Sequence, residues 1–306
     1  MKNISLEVTT AQEGDRIDKY LSSLLPELSR SYIQKLILEE NVKLNGQCVG
    51  ASKKVSCEDL VEIMVPDAVE PEIKAENIPL NILYEDNDLI IVNKPKGMVV
   101  HPAPGHYSNT MVNALLYHCT NLSGINGVLR PGIVHRIDMN TTGSVIVCKN
   151  DICHRAMAQM LKEHSIDRRY RTIVYGNFTE TEGTISGKIG RSQNDRKKMM
   201  NNAPNGKDAV THYKVLESYK GYSYLECRLE TGRTHQIRVH MSSIGHPVLG
   251  DDTYSNRKSQ YRLEGQTLHA YFLGFKHPVT GEYIEVTAPI PEYFEKLLID
   301  MRKNLI

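Results

Sequence analysis

The chain has 306 residues, of which 40% are hydrophobic and 24% are charged. This length suggests about two domains, and the apolar content supports a sizeable core without disulfide or metal staples. The 37 Lys and Arg residues nearly balance the 36 Asp and Glu residues, which gives a formal net charge of +1. The balance excludes a polybasic protein that coats nucleic acid nonspecifically. It does not exclude a local basic face, because charges act within about 10 Å.

The cysteines and the apolar runs indicate the cellular compartment of the protein. No two of the six cysteines form a Cys-x-x-Cys pair, which argues against a zinc ribbon or a thioredoxin-like motif. The first residues lack the apolar core of a signal peptide. Apolar runs such as 89–92 and 145–148 are far shorter than the roughly 18 residues of a membrane span. We therefore expect a reduced cytoplasmic protein that makes no membrane contact.

The segment from about residue 14 to 65 predicts a compact unit that begins with two helices. Apolar residues fall at positions 17, 20, 21, 24 and 25, which is the spacing of an amphipathic helix. Ser29 can cap a second helix whose apolar face carries Ile33, Leu36 and Ile37. Arg30 and Lys35 lie on the other side of that second helix.

A hairpin and a linker complete this part of the chain. Asn45 and Gly46 separate two short apolar runs, and this pair favours a two-residue hairpin turn because both positions need a positive φ. The stretch from Pro66 to Pro79 is rich in Pro, Glu and Asp. Prolines stiffen such a stretch and acids keep it solvated, so the composition predicts a linker.

The remainder, about 80–306, alternates short strands and helices without a repeat period. Strands are predicted at 89–92, 144–148, 170–175, 213–217, 222–229 and 284–287. Asp151 is predicted to cap one helix, and Pro291 suits the first position of a final helix. Strands outnumber helices and do not form regular βαβ units, which favours a mixed α+β fold.

One polar stretch, 132–143, places a carboxylate beside two cationic side-chain types. The apolar residues 133–134 lead into His135, Arg136 and Asp138, and a Thr-Thr-Gly turn and another apolar strand follow. A carboxylate next to a guanidinium stays ionised and can act as a nucleophile or a base. An equally physical interpretation of the isolated motif is an Asx-turn from Asp138 to the backbone at 140 and 141.

The pattern of a second polar stretch, 231–240, predicts a strand with polar groups on both faces. Its arginines suit bidentate contacts with carboxylate or phosphate, although a solvated edge strand would look the same. His235 and His240 are five residues apart and would face opposite sides of one strand. Neither a His-Glu-x-x-His motif nor a Cys-plus-His set occurs in the sequence, so we expect no metal site.

The polar stretches together resemble pseudouridine synthases of the RluA/RluD type that carry an N-terminal S4-type RNA-binding domain. The family signature is similar to His-Arg-Leu-Asp-Lys-Asp-Thr-Ser-Gly, and residues 135–143 read His-Arg-Ile-Asp-Met-Asn-Thr-Thr-Gly. The stretches 93–95, 232–238, 268–270 and 277–278 also match in order and spacing. The resemblance covers roughly residues 14–300, and its ordered motifs outweigh the Asx-turn interpretation of Asp138.

The resemblance implies a fold and a domain organisation. The expected class is α+β, with the mixed, mainly antiparallel central sheet of the pseudouridine synthase fold and a small N-terminal α+β domain of the S4 type. The corresponding boundaries are an S4-type RNA-binding domain over 1–65, a linker over 66–79 and a catalytic domain over 80–306.

The resemblance also implies the roles of individual residues. Asp138 is the expected catalytic carboxylate, Tyr170 the tyrosine against which the target base packs, and Arg233 the partner that holds and orients Asp138. The residues expected to contact RNA are His135, Arg136, Arg30, Lys35 and Arg238. The chain departs from the usual pattern at Met139, Asn140, Ser144 and Arg168. None of these departures touches the expected catalytic carboxylate.

The implied reaction fits the residues. Uridine becomes pseudouridine when the N1–C1′ bond breaks, the uracil rotates and C5 joins C1′. This isomerisation needs no electron transfer and no energy input, so no cofactor is expected. A carboxylate can attack C1′, attack C6 or abstract the C2′ proton, and the sequence leaves these three routes open. The uridine must leave its stack at a cost of a few kcal/mol, and stacking on Tyr170 offsets about 1–3 kcal/mol of it.

The expected substrate is large-subunit, 23S-type ribosomal RNA, and the expected state is a monomer. Which uridines are modified, and whether ribosomal or transfer RNA is the target, stay open at this stage. One alternative function is a noncatalytic S4-type RNA-binding protein or ribosome-assembly factor. A metal hydrolase is a further alternative that rests on the histidines alone.

Overall fold

The structure is a computed structural model that describes residues 2–66, 73–103, 105–127, 129–193, 195 and 198–303. The chain divides into two compact units, Met1–Glu70 and Pro71–Ile306, and each is described by itself. Within the expected linker 66–79, residues 67–72 lie outside the described residues, and 73–79 carry no helix or strand. The expected domain boundaries, 1–65, 66–79 and 80–306, stay a prediction.

The first unit packs two helices against a four-stranded sheet. Its elements are β1 (Lys2–Glu7), α1 (Ile17–Leu24), α2 (Arg30–Leu38), β2 (Val42–Leu44), β3 (Gln47–Cys48) and β4 (Leu60–Val65). The strands lie in the order β1-β4-β2-β3 and pair antiparallel. The apolar faces of α1 and α2 meet the sheet in one core that includes Ile17, Leu21, Ile33 and Leu36.

Local sequence chemistry accounts for the ends of these elements. The side chain of Ser29 accepts a hydrogen bond from the Tyr32 backbone N–H at 3.2 Å, so the expected helix cap is confirmed. Asn45 and Gly46 have φ of 51° and 78°, the left-handed values that a tight hairpin between β2 and β3 requires. The predicted two-residue turn is therefore confirmed as well.

The second unit is built on a large sheet. Its strands are β5 (Ile82–Glu85), β6 (Leu89–Lys94), β7 (Thr142–Cys148), β8 (Asp167–Tyr175), β9 (Glu182–Arg191), β10 (Met199–Met200), β11 (Lys207–Tyr219), β12 (Tyr222–Leu229), β13 (Leu268–Lys276) and β14 (Tyr283–Thr287). Its helices are α3 (Met111–His118), α4 (Asp151–Lys162), α5 (Gln236–Ser243) and α6 (Glu292–Lys303). Among the described residues, none of these helices has the length and apolar character that crossing a membrane needs.

The sheet of the second unit is mixed and mainly antiparallel. Its strand order is β10-β9-β11-β12-β8-β13-β7-β6-β5, and β14 pairs with β13 beside this path. Of the strand pairs between described residues, β13 with β7 is parallel and the others are antiparallel. This arrangement confirms the expected α+β class and the mixed, mainly antiparallel sheet.

The parallel pair of β7 and β13 brings Thr142 and Gly143, the last two residues of the Thr-Thr-Gly run, close to the middle of the sheet. Gly143 pairs with Ala270 and has a φ of 110°. A Cβ at this position would collide with the backbone of Ala270. Only glycine lets the two strands approach, so the turn that follows Asp138 is anchored against β13.

The structure corrects two of the local predictions. The stretch 231–240 is not a strand: a turn leads into α5, which begins at Gln236. Six consecutive residues from Gln236 to Met241 are buried, and a helix buried on all sides shows no polar face by which its period could be recognised. The helix α4 is capped by Asn150, which accepts from the Cys153 backbone N–H at 2.9 Å, and not by Asp151.

Candidate active site

A cleft in the second unit gathers residues from most of the motifs of the sequence. Asp138 lies in the loop that precedes β7, Tyr170 lies on β8, and Arg238 lies on α5. The cleft is lined by Arg136, Ile137, Asp138, Thr141, Tyr170, Leu229, Arg233, His235, Gln236, Ile237, Arg238 and Leu268. Residues more than 130 positions apart in the chain therefore meet around one carboxylate.

The carboxylate of Asp138 is held by a buried arginine. Arg238 Nη1 donates to Asp138 Oδ2 at 2.9 Å, and the Nε and Nη2 of Arg238 donate to Asp251 at 2.7 and 2.9 Å. Burial opposes the charge of Arg238, but the hydrogen bonds and charges of Asp251 and Asp138 outweigh it and raise its pKa. Asp251 thus fixes the guanidinium, and the guanidinium fixes Asp138 by a charge-assisted hydrogen bond.

The ion-pair partner of Asp138 is Arg238 and not Arg233, which corrects the expectation from the sequence. Arg233 lines the same cleft, but its Nε donates to the backbone oxygen of Asp208 at 2.9 Å. The physical reason is the helix: α5 carries Arg238 into the buried side of the cleft, whereas Arg233 precedes the helix. Arg238 was expected to contact RNA, yet it is 5% exposed and occupied by two carboxylates.

A second polar group, His235, approaches Asp138 from the other side. Its Nε2 lies 3.7 Å from Asp138 Oδ1, and its Nδ1 is 2.8 Å from the hydroxyl of Tyr254. The backbone N–H of Met199 donates to that hydroxyl at 2.8 Å. Burial, against the attraction of Asp138, lowers the pKa of His235. The carboxylate is therefore bracketed by an arginine and a neutral imidazole.

Tyr170 forms an apolar wall of the cleft. It lies on β8 between Cys227 of β12 and Ala270 of β13, and it is 8% exposed. Burial raises the pKa of its hydroxyl, so the ring is an uncharged phenol at neutral pH. A flat, neutral aromatic ring at this depth suits contact with a base.

His135 and Arg136, both expected to contact RNA, have different surroundings. His135 Nε2 accepts from the Ile146 backbone N–H at 2.9 Å, which joins the loop to β7. Burial and then Arg168 lower the pKa of His135 to about 3, so it carries no charge for a phosphate. Arg136 is exposed, and its Nη1 donates to His101 Nε2 at 3.2 Å.

Arg30 and Lys35 lie on α2 of the first unit. Arg30 and Arg16 both donate to Asp18, at 3.0 and 3.1 Å, and Gln34 donates to the same carboxylate at 2.6 Å. The two arginine side chains stay about half exposed around this fully buried acid. Lys35 is exposed and lies 3.6 Å from Glu39. Their contact with RNA stays a prediction.

Lys94 belongs to the stretch 93–95 and joins two loops of the site. Its side chain is fully buried, and its Nζ donates to the carbonyl oxygens of Pro95, Met98 and Met139 at 2.8, 2.8 and 2.9 Å. Each ammonium proton therefore has one acceptor. Burial, against the attraction of Asp138, lowers the pKa of Lys94 to about 7. The residue that follows Asp138 is held in place by this link.

We expect Lys94→Met to lower the free energy of unfolding by about 3 kcal/mol, because three buried carbonyl groups lose their donor. Urea denaturation followed by circular dichroism measures the change. Lys96→Met is the matched control, since Lys96 is partly exposed and its Nζ contacts the Tyr293 ring at 4.1 Å. Equal stability of the two variants would contradict the role given to Lys94.

Two clusters of metal-ligand types lie outside the cleft among the described residues. In Asp86, Asp88 and His277, the backbone N–H groups of Val279 and Thr280 donate to His277 Nδ1. The proton therefore sits on His277 Nε2, which faces Asp86 at 3.0 Å and cannot ligate a metal. In Glu85, His118 and Cys119, the acid is paired with Lys149 at 3.1 Å. The acid of this cluster is held in an ion pair and the acid Asp86 faces a neutral imidazole, so the contacts of both clusters are explained without a metal.

Sequence reasoning missed the supporting residues of the cleft. Asp251, Tyr254 and Lys94 had no role assigned to them, although they orient Arg238, His235 and the loop after Asp138. The one available signal was the pair of acids at 251–252, which directly follows a glycine. Buried carboxylates need a cationic partner. The partner of Asp251 is Arg238, 13 positions earlier in the chain, on a helix that the sequence pattern predicted as a strand.

The positive charge of the cleft suits a polyanionic substrate. An ion-paired carboxylate lies beside a neutral tyrosine, in a cleft that several arginines line. Residues 88–243 match the family model described as RNA pseudouridylate synthase, and residues 15–61 match the S4 domain model. The chain belongs to the RNA pseudouridylate synthase family and is an RNA pseudouridine synthase with an N-terminal S4 domain.

Individual relatives resemble the chain over nearly its whole length. An uncharacterized RNA pseudouridine synthase, YlyB, of Bacillus subtilis is 47% identical over 99% of this chain and 100% of its own. The ribosomal large subunit pseudouridine synthase D of Zymomonas mobilis is 43% identical over 97% of this chain and 98% of its own. The human RNA pseudouridylate synthase domain containing 1 has a TM-score of 0.57 and 26% identity, over 78% of this chain and 98% of its own.

Proposed function

We propose that this pseudouridine synthase modifies uridines of large-subunit ribosomal RNA and that Asp138 is its catalytic carboxylate. The observation that carries the assignment of Asp138 is its position between Arg238 and His235, in the cleft that Tyr170 lines. The substrate is inferred from relatives such as the ribosomal large subunit pseudouridine synthase D of Haemophilus influenzae, which is 42% identical over 99% of this chain.

The geometry supports a reaction that starts from a fixed, ionised carboxylate. Attack at C1′, attack at C6 and abstraction of the C2′ proton all need such a group within reach of a flipped nucleotide. Arg238 donates to Oδ2 of Asp138, and His235 Nε2 is 3.7 Å from Oδ1. Among the described residues, Oδ1 has no hydrogen bond. In each route Oδ1 is the oxygen that faces the nucleotide, and Tyr170 supports the displaced base.

Pseudouridine mapping tests the proposed substrate. Large-subunit ribosomal RNA from cells that lack the gene should miss one or more pseudouridines, and the purified protein should restore them. Transfer RNA from the same cells should be unchanged. Pseudouridines that are missing from transfer RNA alone would contradict the proposed substrate while leaving the enzyme class intact.

The first unit is proposed to capture RNA through Arg30 and Lys35, beside Arg16. We expect deletion of residues 1–65 to raise the KM for RNA at least tenfold, because phosphate contacts supply much of the affinity. The value of kcat should stay within about threefold, since the cleft lies wholly in the second unit. Steady-state kinetics separate the two effects, and an unchanged KM would refute the role of the first unit.

We further propose that the protein acts in the cytoplasm as a monomer. The cleft residues come from one chain, so each copy holds a complete set of the groups named above. Six free cysteines accord with a reducing compartment. Analytical ultracentrifugation at assay concentrations tests the monomer.

A further inference from the structure

A larger cleft of about 790 Å³ adjoins Asp138 and shares Arg136, Tyr170, Leu229 and Arg233 with the site already described. Its cationic lining residues are Arg130, Arg136, Lys162, Arg168 and Arg233. None of the residues that line this cleft is Asp or Glu. Its described walls therefore present positive charge without a carboxylate to neutralise it.

The charge of Arg168 in this cleft has no partner that accounts for its burial. It lies on β8 and is 6% exposed, yet its Nε has no hydrogen-bond partner among the described residues. Its Nη2 donates to the backbone oxygen of Glu230 at 3.2 Å. Within the part of the chain that the structure describes, no carboxylate lies at ion-pair distance from it. Burial of an arginine that has no acidic partner destabilises the folded protein. Such a residue is therefore a candidate for binding an anionic ligand.

Arg168 lines the cleft although it is almost fully buried, and its neighbours supply no acid among the described residues. Gly232 has no side chain at the point where a Cβ would collide with Arg168 Nη1. His135 beside it is neutral. Burial, and then the second positive charge of Arg233, lower the pKa of Arg168. Two guanidiniums that line one cleft, with no Asp or Glu among its described lining residues, supply charge and N–H donors suited to a phosphate.

We propose that Arg168, together with Arg233, binds a backbone phosphodiester of the RNA next to the target uridine. Arg168 and Tyr170 are two residues apart on one strand, so their side chains share a face at a spacing of about 7 Å. A phosphate held at Arg168 thus lies about one nucleotide from the base at Tyr170. This inference rests on the proposed function, because it assumes that Tyr170 receives the base.

The test measures RNA affinity as a function of salt for Arg168→Gln, Arg168→Lys and wild type. Each phosphate contact with a single strand contributes about 0.7 to the slope of log affinity against log salt. Arg168→Gln should weaken RNA binding about tenfold near physiological salt and reduce the magnitude of the slope by about 0.7. Arg168→Lys should keep the slope, because the charge remains, while losing part of the affinity.

Arg169→Gln is the matched control, since it removes the same charge from the next residue of the same strand. Arg169 is paired with Asp167 at 2.6 Å and does not line the cleft, so its variant should keep the wild-type slope. The thermal midpoint of Arg168→Gln should equal or exceed that of wild type, because an unpaired buried charge is gone. A merely structural Arg168 would instead lower the midpoint and leave the slope unchanged.

The outcomes separate this inference from the proposed function. If wild type forms pseudouridine and Arg168→Gln keeps the wild-type slope, the phosphate site is wrong and the enzyme assignment stands. If Arg168→Gln and Arg169→Gln reduce the slope equally, the effect is general electrostatics and the proposed site is again overturned. If wild type fails on ribosomal RNA, the substrate assignment fails, and the slope measured on any single-stranded RNA still decides the role of Arg168.

Discussion

Asp138→Asn is expected to reduce pseudouridine formation by about 10⁴-fold or more, the usual loss when a group that reacts with substrate is removed. An amide has nearly the shape of the carboxylate and can still accept from Arg238 Nη1, so the cleft should keep its geometry. It has no negative charge with which to attack a carbon or remove a proton. Nucleoside analysis of RNA after incubation with the purified variant measures the remaining turnover.

Asp252→Asn is the matched control for this substitution. Asp252 is exposed and its side chain accepts from Thr253 Oγ1, away from the residues that line the cleft. Its variant should turn over at the wild-type rate. Both variants should bind RNA and unfold as wild type does. Turnover by Asp138→Asn within tenfold of wild type would remove Asp138 from the reaction.

Arg238→Lys is expected to lower kcat about 10²-fold or more with a much smaller change in the KM for RNA. Lysine keeps the charge, but a single ammonium cannot reproduce the fork that reaches Asp138 and Asp251 at once. The carboxylate then moves from its reacting position, and misplacement by about 1 Å costs this much in rate. Steady-state kinetics at saturating RNA measure the loss.

Arg233→Lys distinguishes the two arginines. Arg233 does not pair with Asp138, and we place it on an RNA phosphate, so its variant should change the KM more than kcat and keep the salt dependence, because the charge remains. Circular dichroism checks that Arg238→Lys folds, since Asp251 loses part of its pairing. A larger fall in kcat for Arg233→Lys than for Arg238→Lys would restore the partner that the sequence motif suggested.

The predictions that held depend on local chemistry. The cap at Ser29, the turn at Asn45 and Gly46, and the buried strands around 89–92 and 144–148 each follow from one short run of residues. Hydrogen bonds and side-chain periodicity act over a few positions, so the sequence displays them directly. The family resemblance then supplied the mixed sheet, which no local pattern specifies.

The predictions that failed depend on tertiary burial. Residues 236–241 are buried on every side, so the helix had no polar stripe, and its apolar residues at alternate positions suggested a strand. The strand interpretation gave no reason to choose Arg238, and the family resemblance assigned its role to Arg233. The link from Lys94 to the carbonyl of Met139 spans 45 positions, and no spacing rule joins a lysine to a distant backbone oxygen.

Release of the C5 hydrogen tests the central claim most directly. When C5 of uracil joins C1′, the hydrogen on C5 passes to water, so RNA with tritium at C5 of uridine reports the chemical step itself. With enzyme in excess over RNA, wild type should release tritium in a single turnover, and Asp138→Asn should bind the RNA equally well and release none above background. Tritium release by Asp138→Asn at the wild-type rate would contradict the account.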